Sequence, residues 1–281
     1  MPLLLISHAH CPDGAAAAWA AYHRHPDVEV FFTTYGPENT PPDVTDRDVV
    51  ITDFCYPRDV LLKMKSKARS LVVLDHHVTM QKQCGDLEFC HFDMNKSGAM
   101  LSWEYFNPHD KPPHLITCIQ YRDLGYLFTR PESEHPQYAA EILAAIDSYP
   151  RTFETWDDLV WKCQPGHWDR VVTEGEAILR YKNKLIESLL KRTHEIEING
   201  MKVKAINSPV LQSELGTRLA EENDFGVVWY QASDTEVRFS LRSLDSKEDV
   251  SKIAESFPPG GGHRCASGFA LKENLLKDKI K

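Results

Sequence analysis

Leu71-Val72-Val73-Leu74-Asp75-His76-His77 is the stretch that decides the fold. Four apolar residues in succession end abruptly on a carboxylate and two imidazoles. A strand half-exposed to water would alternate apolar and polar side chains. An unbroken short run instead fits a strand covered on both faces, as in a parallel sheet. The same pattern recurs upstream. Val49-Val50-Ile51-Thr52 runs into Asp53, and Leu3-Leu4-Leu5-Ile6-Ser7 runs into His8. Val28 to Thr34 reads as a further strand. Between these runs lie helical stretches: Ala15 to Tyr22, opened by Pro12-Asp13-Gly14, and Pro57 to Ala68, with its proline in the first turn. Ser97 to Phe106 and Leu115 to Tyr121 read as helices as well. The alternation predicts an α/β fold, a doubly wound and mainly parallel sheet.

The second half changes character. Residues 131–170 are rich in Pro, Trp and acidic side chains, and Trp156, Trp161 and Trp168 read as core packing. From Val171 to Arg192 one helical face carries Val171, Ile178, Leu185 and Leu189. After Asn199-Gly200, a hairpin signal, strands resume at Val203 to Ile206, Val227 to Tyr230 and Val237 to Leu241. The expected organisation is a catalytic domain over 1–170, a long connecting helix over 171–195, and a smaller C-terminal α/β domain over 196–281.

Bulk properties bound the function. The 281 residues are 42% hydrophobic and 26% charged, with a formal net charge of -9. Grip on long duplex nucleic acid draws on a basic face, so the balance favours a short substrate. No stretch reaches the roughly 20 apolar residues that cross a bilayer, and the apolar start is too short for a secretory leader. The expectation is a cytoplasmic protein with no membrane partner. The seven cysteines include no CxxC pair, which predicts reduced, mostly buried thiols, neither a disulfide framework nor a structural zinc site. The oligomeric state is left open, a homodimer included.

The chemistry collects at the ends of the predicted strands. His8-Ala9-His10-Cys11-Pro12-Asp13-Gly14 follows the first, Asp53 the third, and Asp75-His76-His77 the fourth; Asp123 follows a helix. Ligands of open parallel sheets bind outside the carboxyl ends of the strands. Carboxylates and imidazoles gathered there suit two divalent ions such as Mn²⁺, with Mg²⁺ or Co²⁺ as substitutes. A lone Asp at a strand end is more often a helix cap; four such clusters in order shift the balance to a metal site. Toward the C terminus, Gly260-Gly261-Gly262-His263 offers backbone amides to a phosphate, and Arg242 offers bidentate binding. Cys11 sits inside the first motif, where it could touch metal; a small buried side chain is its first reading. The amides of Ser97-Gly98-Ala99 read as a helix cap able to help hold phosphate.

With these motifs in hand, the chain resembles the DHH phosphoesterases. Asp75-His76-His77 looks like their signature, and His8 to Gly14, Asp53 and Asp123 are similar to their other motifs, in the same order. Ser240-Leu241-Arg242-Ser243 and the glycine run followed by Ser267-Gly268-Phe269 resemble the DHH-associated C-terminal domain. His-x-x-Cys-Pro-Asp-Gly, Arg122-Asp123-Leu124 and Phe153-x-x-Trp156 look most like the nanoRNase or oligoribonuclease-like branch. The resemblance implies that His8, Asp13, Asp53 and Asp123 hold one metal, and that Asp53 bridges to a second held also by His76. It implies that Asp75 orients a ligand and that His77 meets the scissile phosphate, with Arg242, Gly260, Gly261, Gly262 and His263 binding substrate. One departure stands out. Many members carry DxD in the first motif, whereas here Ala15 follows Asp13 and His10 is the candidate replacement.

The expected function is therefore metal-dependent hydrolysis of short oligoribonucleotides or dinucleotides, with the site in a cleft between the domains. The alternatives are a cyclic-dinucleotide or nucleoside-bisphosphate phosphohydrolase, an exopolyphosphatase or pyrophosphatase, and an inactive nucleotide sensor.

Overall fold

The computed structural model describes residues 2–35, 39–258 and 260–272. Its elements run β1 (Leu4–His8), α1 (Pro12–Arg24), β2 (Glu29–Thr33), β3 (Asp48–Thr52), α2 (Arg58–Lys67), β4 (Ser70–Asp75), α3 (Val78–Cys84), β5 (Cys90–Phe92), α4 (Gly98–Phe106), α5 (His114–Asp123), α6 (Tyr126–Thr129), α7 (Ala139–Ile146), α8 (Phe153–Lys162) and α9 (Asp169–Leu190). Then follow β6 (His194–Ile198), β7 (Met201–Asn207), α10 (Gln212–Glu222), β8 (Gly226–Ser233), β9 (Glu236–Arg242), α11 (Val250–Glu255), β10 (Gly261–His263) and β11 (Ala266–Lys272). Two compact units divide at Leu179/Arg180, within α9. The fold is α/β in both, as the sequence pattern predicts.

In the first unit five strands lie in the order β2-β1-β3-β4-β5, every pair parallel. Alternate strand residues point to opposite faces, and both faces are covered. Leu4, Ile6, Val49, Ile51, Leu71 and Val73 pack with Leu61 and Met64 of α2 and with Met80 and Cys84 of α3. Leu5, Val50 and Leu74 pack with Ala18 and Ala21 of α1 and with Phe106 of α4. Double coverage is why these strands read as unbroken apolar runs. Each buried Leu, Ile or Val contributes about 1.5–3 kcal/mol from burial. The alanine run of α1 has its own reason. Ala15, Ala16, Ala17, Ala18, Ala20 and Ala21 are all buried, and their small side chains let the helix lie close to its neighbours. A third cluster joins α1, α4, α5, α7, α8 and the start of α9 around Trp19, Trp103 and Trp156. Trp161 departs from the packing expectation: its side chain is exposed and stacks on His167 at 4.3 Å.

The strand order reverses between β1 and β3, since β1 pairs with β2 on one side and β3 on the other. Such a switch point opens a crevice at the carboxyl ends of the two central strands. His8 is the last residue of β1 and Asp53 directly follows β3, so the topology alone sets these two side chains at that crevice.

The second unit holds a six-stranded mixed sheet in the order β10-β11-β9-β8-β7-β6, in which only β7 and β8 are parallel. One face packs Ile206 and Val228 on Leu215 and Leu219 of α10 and on Ile186 of α9. The other gathers Val227, Phe239, Leu241 and Phe269 around Val250 and Ile253 of α11. The residues expected as a free glycine loop are partly strand: Gly261–His263 pairs antiparallel with β11. All seven cysteines are free thiols. Among the described residues no helix is long and apolar enough to cross a membrane.

Candidate metal centre

Strand ends and helix starts deliver each polar side chain. β1 delivers His8, and the chain then turns through His10, whose φ of 65° is left-handed. Cys11 caps α1, its sulphur accepting the Gly14 amide at 3.1 Å. That cap points Asp13, in the first turn, back at the strand ends. Gly14 permits the close approach: a Cβ there would sit 2.1 Å from the His8 carbonyl oxygen. Below it, the Ser7 hydroxyl donates to the Gly14 carbonyl at 2.7 Å and the Thr52 hydroxyl to Ser7 at 3.2 Å. Asp53 takes a left-handed φ of 54° while its amide stays bonded to the Leu74 carbonyl at 3.0 Å. A non-glycine residue there is strained by about 1–3 kcal/mol, and the strain turns the carboxylate out of the strand line. Asp75 ends β4, His76 and His77 follow, and Asp123 ends α5.

The side chains converge in three overlapping groups, each with one ligand atom per residue within 4.8 Å of the others: Asp53, Asp75, His76 and His77; His8, Cys11 and Asp53; and Asp13, His76 and Asp123. His76 Nε2 lies 3.2 Å from Asp53 Oδ1, 3.4 Å from Asp123 Oδ2 and 3.9 Å from Asp13 Oδ2. The other Asp53 oxygen, Oδ2, lies 3.7 Å from His8 Nδ1 and 3.3 Å from Cys11 Sγ. Asp53 therefore addresses two donor sets with its two oxygens. His77 Nδ1 lies 2.7 Å from Asp75 Oδ1. A carboxylate oxygen accepts, so this contact fixes the orientation of the His77 ring.

Electrostatics explain what the arrangement calls for. Asp13, Asp53, Asp75 and His76 are buried. Two ionised carboxylates whose oxygens are within 4.8 Å of each other repel by about 3–4 kcal/mol at an effective dielectric of 20. Burial first, then the charges of Asp13, Asp123 and Asp75, pushes the Asp53 carboxyl well above the usual range. Desolvation, then Asp13, pushes the Asp123 carboxyl up to about 7, although its side chain keeps 31% of its surface open. Burial lowers His8. Burial, then Asp53, pushes the Cys11 thiol up. Asp75 Oδ2 is buried without a hydrogen-bond partner, a costly state for a carboxylate oxygen. Crowded acids, imidazole nitrogens and an orphaned oxygen fit a divalent cation, which would neutralise the repulsion and occupy the idle lone pairs.

Several sequence expectations shift here. His10 is exposed and belongs to none of the donor groups, while Cys11 belongs to one. The reason is the left-handed turn at His10, which puts that side chain off the motif and brings the capping residue in. Asp13 and Asp123 group with His76, and His8 groups with Cys11 and Asp53, a partition different from the one the resemblance implies. The amides of Gly98 and Ala99 are engaged by Asp13, at 2.7 Å and 3.1 Å, so they orient a carboxylate where phosphate was the expectation. Gly98 was read in the sequence only for its amide; its packing is new, since a Cβ on it would sit 2.3 Å from Asp53 Cβ. Tyr35 was missed too, its ring 5.7 Å from that of His8 and 5.8 Å from that of His77.

In the second unit, Arg242 donates to Ser240 Oγ at 3.0 Å, the Leu241 carbonyl at 2.9 Å and Ser213 Oγ at 2.9 Å. Its stem fills the space a Cβ on Gly216 would need, 2.8 Å from Arg242 Cγ. Ala266 is the partner of Arg242 on β9 and of His263 on β10. Residues on one rung share a face, so Arg242 and His263 point to the same side, two strand spacings or about 10 Å apart. A Cβ on Gly260 would meet the Ala254 carbonyl oxygen at 2.2 Å, and Gly262 has a φ of 141°.

No family model matches the chain. A mimivirus protein (Acanthamoeba polyphaga mimivirus), described only as uncharacterized protein R106, is 29% identical over 296 residues, spanning 95% of this chain and 67% of that one. Among solved structures, the pGpG-specific phosphodiesterase PggH from Vibrio cholerae superposes with a TM-score of 0.52 at 13% identity, over 99% of this chain and 96% of the other. An exopolyphosphatase-related protein from Bacteroides fragilis superposes with a TM-score of 0.45 at 13% identity, over 95% and 86%. The chain thus shares the fold of the Vibrio protein along nearly its whole length.

Proposed function

We propose that this chain is a metal-dependent phosphodiesterase of the DHH type acting on dinucleotides or very short oligoribonucleotides. The observation that carries the reading is Asp53, whose two carboxylate oxygens face separate donor sets, Oδ1 toward His76 and Oδ2 toward His8 and Cys11. A carboxylate so placed is what a bridged pair of divalent ions requires. Bound there, such ions would neutralise a phosphate and lower the pKa of an attacking water.

The chain's own groups have separable duties. His8, Asp13, Asp53, His76 and Asp123 supply nitrogen and oxygen donors that suit Mn²⁺ or a close substitute. Gly98 and Ala99 amides hold Asp13 in one orientation. Asp75 fixes the His77 ring, and His77 Nε2 would meet the scissile phosphate or protonate its leaving oxygen. Arg242 and His263, on one face of the second sheet, would take a phosphate or base of the substrate. The nanoRNase branch and the DHH-associated domain belong to this reading through their motifs. The shared fold of the Vibrio phosphodiesterase, named for a linear dinucleotide, makes pGpG the first substrate to try. A short substrate also suits the net charge of -9.

The test is a hydrolysis panel with Mn²⁺: pGpG, RNA of two to ten nucleotides, cyclic dinucleotides, nucleoside bisphosphates and polyphosphate. Fastest turnover of a linear dinucleotide or trinucleotide, abolished by chelator, is expected. Preference for polyphosphate, or no turnover of any phosphoester, would overturn the proposal.

A further inference from the structure

In the first motif, Cys11 Sγ lies 3.3 Å from His8 Nδ1 and 3.3 Å from Asp53 Oδ2, and those two atoms are 3.7 Å apart. A tetrahedral ion with bonds of about 2.0–2.3 Å to nitrogen, oxygen and sulphur spaces its ligands about 3.3–3.6 Å apart. The three donors match one face of such a polyhedron.

Capping α1 does not account for this arrangement. The cap needs only the bond from the Gly14 amide to the sulphur, and Ser, Asp or Asn serves that purpose as well or better. What a cap leaves unexplained is the sulphur's approach to an imidazole and a buried carboxylate together. A second observation points to an ion in the same centre. Asp75 Oδ2 is buried and unpartnered, and Asp75 shares with the Cys11 group its central carboxylate, Asp53. The crowding of negative charge around Cys11 is what a cation relieves.

We propose that Cys11 Sγ is a metal ligand, completing with His8 and Asp53 a mixed sulphur, nitrogen and oxygen site within the proposed centre. On binding, the thiol releases its proton to solvent and the thiolate takes the coordination position. A thiolate moves the preference of that site toward softer ions, Zn²⁺, Co²⁺ or Cd²⁺ over Mn²⁺ and Mg²⁺. The inference rests on the metal-centre reading, and the experiment separates the two.

The experiment titrates metal-free full-length protein with Co²⁺, following absorbance and bound metal together, in the wild type, Cys11→Ser and Cys11→Asp. Both replacements keep a side-chain oxygen for the helix cap, and circular dichroism checks the fold. The wild type is expected to show the near-ultraviolet thiolate-to-Co²⁺ charge-transfer band, and both variants to bind Co²⁺ without it. The Cd²⁺-to-Mn²⁺ affinity ratio should fall about tenfold or more in the variants. Co²⁺ bound with the same spectrum in all three proteins would refute Cys11 as a ligand and leave the metal centre standing. No bound Co²⁺ in any of them would refute both.

Discussion

Replacing Gly98 with alanine perturbs the proposed centre by one methyl group. Gly98 opens α4, and its helical backbone accepts alanine without strain, so the effect is steric. The added Cβ would lie 2.3 Å from Asp53 Cβ and 2.8 Å from both Asp53 Cα and Cγ, where ordinary contact begins near 3.4 Å. Two of those atoms are at or next to the backbone, so a rotamer change cannot relieve the clash. Either Asp53 or the start of α4 must move by about 1 Å. If Asp53 moves, both of its oxygens leave their donor sets. If α4 moves, the two amides that hold Asp13 go with it. A displacement of that size at reacting groups costs on the order of 100-fold in rate, and the overpacking itself costs about 1–3 kcal/mol of stability. Steady-state kinetics on the best substrate, with Mn²⁺ titration and thermal unfolding alongside, reads all three quantities. A folded Gly98→Ala protein with wild-type kcat and Mn²⁺ affinity would refute the claim that Asp53 and Asp13 must be held where the structure holds them.

Other perturbations separate parts of the account. Gly175→Ala would put a Cβ 1.9 Å from the Glu141 carbonyl oxygen, away from the donor groups, so it should lower Tm while, on the proposed reading, the folded protein keeps its metal-saturated kcat. On the proposed reading, His77→Ala should mainly lower kcat and Arg242→Ala mainly raise KM, because a contact to a non-reacting phosphate stabilises ground and transition states alike; a kcat loss at constant KM for Arg242→Ala would place it at the reacting phosphate. For pH, the Asp123 carboxyl is pushed up to about 7 from an ordinary 3.8, so the native state holds a proton that the unfolded chain releases. Metal-free protein should therefore lose stability as pH rises from about 5 to 7 and level off above that; saturating Mn²⁺ should flatten or reverse that slope. A Tm rising over this window in chelator would contradict the crowding of charge at the centre.

The sheet edge that gathers the donor groups was legible because double burial leaves a local trace. Strands covered on both faces must be apolar throughout, so the polar residue that ends each run marks the edge of the sheet. His8, Asp53 and Asp75 were found that way. The rest depends on contacts between distant residues. Nothing local tells that Gly98 lies against Asp53, or that Asp13 accepts the amides of α4. Cys11 was read first as a small buried side chain and only second as a metal contact, since a sequence does not show which side of a helix cap the sulphur faces. Trp161 carries the same composition signal as Trp156, yet only Trp156 is buried. β5 and β10 have three residues each, too short for any periodicity, and the glycines of β10 look like a loop until β11 pairs with them. The left-handed turn at His10, which separates His10 from the donors, has no glycine to announce it.

The most direct test of the central claim is anomalous diffraction from crystals grown with Mn²⁺. The account predicts two peaks, one on each side of the Asp53 carboxylate, the first near His76 and Asp123 and the second near His8. A single ion that does not touch Asp53, or no ion at saturating Mn²⁺, would contradict it.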